Sequence, residues 1–190
     1  MVRRFVRPVA ATDIMPSTTS AVGRRFKLRE RDPILTMSEA IEQVPGFLFI
    51  DHVAVSVTPG ELEAQVALYR ALGFEELHRE DVLGTDQVRE VLLQMGSGPN
   101  RIQLLEPLTP TSPVARQIER NGGRGGLAHL AFRVSNIHKA FAYMNHQGFQ
   151  IIDPAPRNGS RGTIVFFVHP KGAAAGLGYL LEVVQEGSHA

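Results

Sequence analysis

Two histidines and two side-chain oxygen donors recur at matched places along this 190-residue chain. His52 lies in Ile50-Asp51-His52-Val53-Ala54-Val55-Ser56-Val57, and His129 in Leu127-Ala128-His129-Leu130-Ala131-Phe132-Arg133-Val134. Gln103 follows His52 by 51 positions, and Glu182 follows His129 by 53. Two imidazole nitrogens and two side-chain oxygens, with no sulfur, suit a borderline or hard divalent ion. Six-coordination would leave two positions for water or substrate, as a catalytic metal requires. A lone histidine on a strand is more often structural. Two at equivalent places, each with a small residue (Ala54, Ala131) two positions on, read as one half-site written twice across a pseudo-twofold axis. The competing reading pairs Gln103 and Glu182 with Arg101 or Arg133 at a sheet edge. His78, His138, His146 and His189 have no counterpart in the repeat and read as surface residues. His169, before Pro170, reads as a loop-shaping residue.

The elements that must position these groups also repeat. Val53, Val55 and Val57 fall on one face of a strand, His52, Ala54 and Ser56 on the other. Pro59-Gly60 turns the chain into a helix over 61–72, with Leu62, Val66, Tyr69 and Leu72 on its apolar stripe and Gly73 as C-cap. Strands follow at 74–78, 88–95 and 101–105. The second copy predicts a strand at 127–134 and a helix over 137–147 carrying Ile137, Ala140, Phe141 and Met144, with Gly148 as C-cap. Strands at 149–152, 163–168 and 178–184 complete it. Between the copies, Pro113 sits well in the first turn of a helix ending at Arg120, and Asn121-Gly122-Gly123 stops it. The expectation is an α+β fold: two tandem βαβββ modules, 47–108 and 126–186, joined by a linker at 109–125. Their sheets form one curved mixed sheet around a metal-binding cleft.

Composition fits that picture. The chain is 43% hydrophobic and 21% charged, with a formal net charge of +1, which predicts no strong field for nucleic acid. The balance is uneven: residues 1–31 hold eight Arg or Lys and two acids. Residues 1–46 read as an N-terminal extension, partly disordered, with a capped helix at Ser38–Gln43. A basic, Ser/Thr-rich, acid-poor start also resembles a mitochondrial transit peptide. Zero cysteine excludes disulfides and thiolate ligands and fits a reducing compartment. No apolar run reaches membrane-spanning length. The expected location is the cytoplasm, or the mitochondrial matrix if residues 1–46 are a transit peptide.

Several segments resemble one known family. They are Ile102-Gln103-Leu104-Leu105-Glu106-Pro107-Leu108, Ser112-Pro113-Val114-Ala115, Asn121-Gly122-Gly123, Pro156-Arg157-Asn158-Gly159-Ser160-Arg161-Gly162, His169-Pro170-Lys171 and Leu180-Leu181-Glu182-Val183-Val184-Gln185. From about Ile50 to Gln185 the sequence resembles the methylmalonyl-CoA epimerases of the vicinal oxygen chelate (glyoxalase/bleomycin-resistance) superfamily. The resemblance implies an isomerase of glyoxalase-like fold, a homodimer, and a divalent metal. Cobalt comes first, with manganese, nickel, zinc or magnesium as alternatives. It implies inversion at C2 of methylmalonyl-CoA, or a close 2-alkylmalonyl-CoA, through a metal-stabilised enolate. The family's ligands fall on His52, Gln103, His129 and Glu182. Glu182 then serves one face of C2, and a loop glutamate serves the other.

This sequence departs at that loop, which reads Gly84-Thr85-Asp86-Gln87-Val88. Asp86 supplies the second carboxylate if one residue is deleted, whereas Thr85 takes the place in an ungapped alignment. Glu90 is a fallback, on the strand rather than in the loop. Ala128 stands where the family commonly has a second histidine. The loop from Gly172 to Gly178 is longer than usual. Arg157, Ser160 and Lys171 are candidates to meet the polar or phosphate groups of an acyl-CoA. Two alternatives remain open: a related metal-dependent isomerase, lyase or cyclase acting on another small enolisable carbonyl substrate in secondary metabolism, and a non-catalytic ligand-binding protein of the same fold.

Overall fold

The computed structural model describes residues 46–171 and 176–187. The basic extension, the Ser38–Gln43 helix, the Gly172–Ala175 stretch and His189 lie outside the described residues. The first module comprises β1 (Phe47–Ser56), α1 (Leu62–Ala71), β2 (Glu75–Val82), β3 (Val88–Gln94) and β4 (Arg101–Pro107). A linker helix, α2 (Pro113–Arg120), follows. The second module comprises β5 (Gly126–Val134), α3 (Ile137–His146), β6 (Arg157–Asn158), a 3-10 turn (Ser160–Gly162), β7 (Ile164–Val168) and β8 (Leu181–Gln185).

All eight strands join one mixed sheet in the order β2-β3-β4-β1-β5-β8-β7-β6. The order is symmetric about its centre. β1 and β5 pair antiparallel, while β1 pairs parallel with β4, and β5 with β8. The pseudo-twofold axis therefore passes between β1 and β5. One face of each half carries a helix. α1 buries Leu62 and Val66 against Val57, Val91, Leu93 and Leu104. α3 buries Ile137, Ala140 and Met144 against Val134, Phe166, Val168, Leu181 and Val183. The stripe expected on α3 is present. On α1, Leu72 is exposed at 67%, because it falls at the C-cap beyond the last packed turn. Gly73 (φ +93°) and Gly148 (φ +81°) end the two helices in the left-handed conformation that glycine adopts without strain.

Three strand expectations change. β2 runs on to Val82, where the sequence reads as a polar loop, because its antiparallel ladder with β3 continues residue by residue through Val82↔Val88. The strand expected at 149–152 is reduced to a single bridge from Ile151 to Val168. There the Asp153 carboxylate takes the Phe167 N–H at 2.6 Å, and Pro154 and Pro156 offer no N–H, so pairing resumes only at β6. The last strand starts at Leu181 rather than Gly178, whose N–H bonds the Pro170 carbonyl.

Candidate metal centre and active site

The sheet register brings the repeated residues into two rows. Ala54 pairs with Gln103 on one side and His129 on the other. Ala131 pairs with His52 on one side and Glu182 on the other. Each histidine thus faces the opposite module's alanine, and each alanine leaves room above it. Both alanines are fully buried.

The result is a compact triad. His52 Nε2 lies 3.2 Å from His129 Nε2 and 3.2 Å from Glu182 Oε2, which is 3.1 Å from His129 Nε2. Ligands bound at about 2.0–2.1 Å with angles between octahedral and tetrahedral lie roughly 2.9–3.4 Å apart. The three donor atoms therefore match one face of a coordination polyhedron. Gln103 lines the same cavity as His129 and Glu182. The competing pairing is absent: Arg101 and Arg133 turn instead to Asp51.

Asp51 explains how His52 is held. β1 takes two steps from Ile50 to His52 while β5 takes one from Phe132 to Ala131. Asp51 is the extra residue of a β-bulge, which re-aims its side chain. His52 Nδ1 donates to Asp51 Oδ1 at 2.9 Å, so Nε2 is the nitrogen that faces His129 and Glu182. Burial opposes the charge on Asp51, but the His52 and Arg133 partners bring its carboxyl down to about 2. Burial likewise opposes charge on His52, and hydrogen bonds to Asp51 and Glu182 overcome it, raising the imidazole to about 9. Burial opposes charge on Glu182 too, yet His129 and His52 hold its carboxyl well below the usual carboxylate range.

The triad opens into a cavity of about 490 Å³, within the range of small-ligand sites. Its walls are mostly apolar, with Val88, Leu105, Val165 and Phe167 among them. Asp86, Glu90, Arg157 and Ser160 supply the polar points. Asp86 is gripped by both terminal nitrogens of Arg157 at 3.2 Å. Arg157 also donates to Asp153 at 3.0 Å and stacks over Phe167. Glu90 is buried and accepts from Gln103 Nε2 at 2.8 Å. Burial pushes the Glu90 carboxyl up, against the pull of Ser160 and Arg161.

The glyoxalase/bleomycin resistance protein/dioxygenase superfamily model matches residues 51–167. The ethylmalonyl-CoA/methylmalonyl-CoA epimerase of Cereibacter sphaeroides is 34% identical over 125 residues, 64% of this chain and 88% of that protein. The mitochondrial methylmalonyl-CoA epimerase of Homo sapiens is 27% identical, covering 89% and 96%. A variant of the Streptomyces coelicolor methylmalonyl-CoA epimerase in complex with 2-nitronate-propionyl-CoA has a TM-score of 0.67 at 31% identity, over 75% of this chain and 100% of that one. A methylmalonyl-CoA epimerase in complex with methylmalonyl-CoA and ammonium gives 0.67 at 32%, covering 75% and 97%. The chain belongs to the methylmalonyl-CoA epimerase family of this superfamily. That family is one of isomerases.

Set against the methylmalonyl-CoA epimerases, the family-like segments divide by role. Glu106 takes the Gly60 N–H at 2.7 Å and fixes the turn before α1. The Asn121 amide bonds the Arg124 and Gly125 carbonyls and shapes the entry to β5. These parts of the linker motif are architectural. Arg157 and Ser160 line the cavity, whereas Lys171 is exposed and does not. Its N–H bonds His169 Nδ1, the loop-shaping role expected of that histidine. His78 is not an isolated surface residue: it gathers with Glu80 and Glu90 on the cleft side of β2 and β3.

Proposed function

We propose that the protein is a divalent-metal-dependent epimerase acting at C2 of methylmalonyl-CoA or a close 2-alkylmalonyl-CoA. The observation that carries this is the 3.1–3.2 Å triangle of His52, His129 and Glu182 donor atoms, with His129 and Glu182 lining a mostly apolar cavity. The names of the relatives, and the acyl-CoA compounds in the similar structures, support the substrate class. His52, His129, Glu182 and Gln103 would hold the ion. When bound, the ion supplies positive charge that stabilises an enolate formed from a thioester; cobalt is the first choice.

The chain's own groups supply the proton transfers. Glu182 is kept ionised and is the carboxylate that takes or returns the C2 proton on one face. Asp86 lines the cavity at the base-bearing loop and serves the opposite face, oriented by the Arg157 fork. Arg157 and Ser160 meet the polar part of the substrate. Lys171, outside the cavity, is left to the phosphates of an extended CoA. The assembly is a homodimer, consistent with the exposed apolar start of β1 at Phe47, Leu48, Phe49 and Ile50. Cytoplasm or mitochondrial matrix is the proposed location. No helix of the described residues is long and apolar enough to cross a membrane.

The test is direct. Cobalt-loaded protein given a single C2 epimer of methylmalonyl-CoA converts it to the mixture, and Glu182→Gln lowers the rate by about 10²–10⁴-fold. A metal-loaded, folded protein that leaves the single epimer unchanged would overturn the proposal.

A further inference from the structure

We propose that His78, Glu80 and Glu90 form a second divalent-cation site, on the β2–β3 wall of the cleft, for an ion of the zinc, cobalt or manganese type. The site needs no assumption about the reaction. One imidazole nitrogen and two carboxylate oxygens from these residues all lie within 4.8 Å of one another. Their placement follows from strand geometry. His78 and Glu80 alternate along β2 and share a face, and Glu90 on β3 pairs directly with Glu80.

Two carboxylates directly opposite on adjacent strands repel unless a cation or proton lies between them. Glu90 sharpens the point. The residue is 3% exposed, its Oε2 is taken by the Gln103 amide, and its Oε1 is buried with no hydrogen-bond partner among the described residues. A buried carboxylate oxygen without a partner is costly, and a bound cation is one way to satisfy it. The neighbouring cation makes no ion pair with Glu90: the Arg161 guanidinium lies 3.7 Å from Asp51, its Nε is itself buried without a hydrogen-bond partner among the described residues, and its backbone N–H reaches Glu80 at 2.8 Å. His78 Nε2 lies 3.0 Å from Glu80 Oε1, so an ion here replaces the proton of that pair. One nitrogen and two hard oxygens match the donor preferences of borderline first-row ions. His78 and Glu80 are half-buried, which leaves a path from solvent.

The site also reaches the first centre. An ion fixing one Glu90 oxygen leaves the other holding Gln103 Nε2, so the Gln103 carbonyl oxygen stays free to serve the first ion. In this role Glu90 is a positioning residue for Gln103.

Zinc binding by the full-length protein tests the site, read as bound ions per chain by calorimetry and elemental analysis. The wild type binds two ions per chain. His78→Asn binds one, the double variant His52→Asn/His129→Asn binds one, and the triple variant binds none. Glu80→Gln, at a half-exposed position, repeats the loss if His78→Asn does not fold. A wild type that binds one ion, undiminished by either β2 variant, overturns the proposal. So does an ion retained by the triple variant, which would be surface binding. A wild type that binds a single ion, lost in His78→Asn but kept in the double variant, supports this site and counts against the first.

Discussion

A neutral imidazole offers a metal one ring nitrogen, and the group bonded to the other nitrogen decides which. Asp51 makes that decision for His52, and the proton held by the Asp51–His52–Glu182 chain has a measurable consequence. Its partners raise His52 from 6.5 to about 9. The stabilisation from its partners is then complete below about pH 6.5 and lost as pH climbs through 9. Chelator-treated protein should therefore show a falling denaturation midpoint over that window. A metal must displace the same proton, so cobalt affinity should strengthen with pH up to about 9, with proton release on binding. A flat affinity across the window would contradict this. Asp86 gives a second expectation. If Glu182 works one face and Asp86 the other, Asp86→Asn keeps proton exchange on one epimer while inversion falls by about 10²-fold or more. Equal loss of both would place Asp86 in substrate binding instead. The repeat made the two histidines, Gln103 and Glu182 readable, because each sits in a patterned strand. Asp51 was hidden because a bulge is not visible in residue alternation. The Asp86–Arg157 fork joins groups 71 residues apart, a pairing no local pattern encodes. Glu90 had a usable signal: it alternates with Val88 and Leu92, and Leu92 faces Gln103.

At the scale of elements, the linker helix does more than join modules. Ser112 is fully buried, and its hydroxyl accepts from the Val114 N–H at 3.2 Å while donating to the Asp86 carbonyl at 2.8 Å. One side chain thus caps α2 and tethers the loop that carries Asp86. Ser112→Ala should cost about 1 kcal/mol in chemical denaturation, as for other lost N-caps. It should also lower turnover, because the Asp86 loop loses its anchor. Unchanged turnover with reduced stability would separate the two roles. The helices, and the order βαβββ in the first module, follow from period and capping signals in the sequence. The final strands of the second module were less legible, since Pro154, Pro156 and the Asp153 cap redirect the chain between Ile151 and β6.

Over the whole molecule, duplication turns two weak half-sites into one centre, with the symmetry axis between β1 and β5. The symmetry is incomplete at the oxygen donors: Gln103 and Glu182 occupy equivalent places, yet only Glu182 is a carboxylate. The exposed Phe47–Ile50 stretch belongs to the proposed dimer, so light scattering should give about twice the 20.8 kDa chain mass. A monomer at micromolar concentration would contradict that assembly. The central claim is proton abstraction at C2 by a metal-loaded centre. The decisive measurement is deuterium uptake at C2 of methylmalonyl-CoA in D2O, followed by mass spectrometry with and without chelator. The account predicts incorporation by the cobalt-loaded protein that chelation abolishes. No incorporation by folded, metal-loaded protein would contradict it and favour a different enolisable carbonyl substrate.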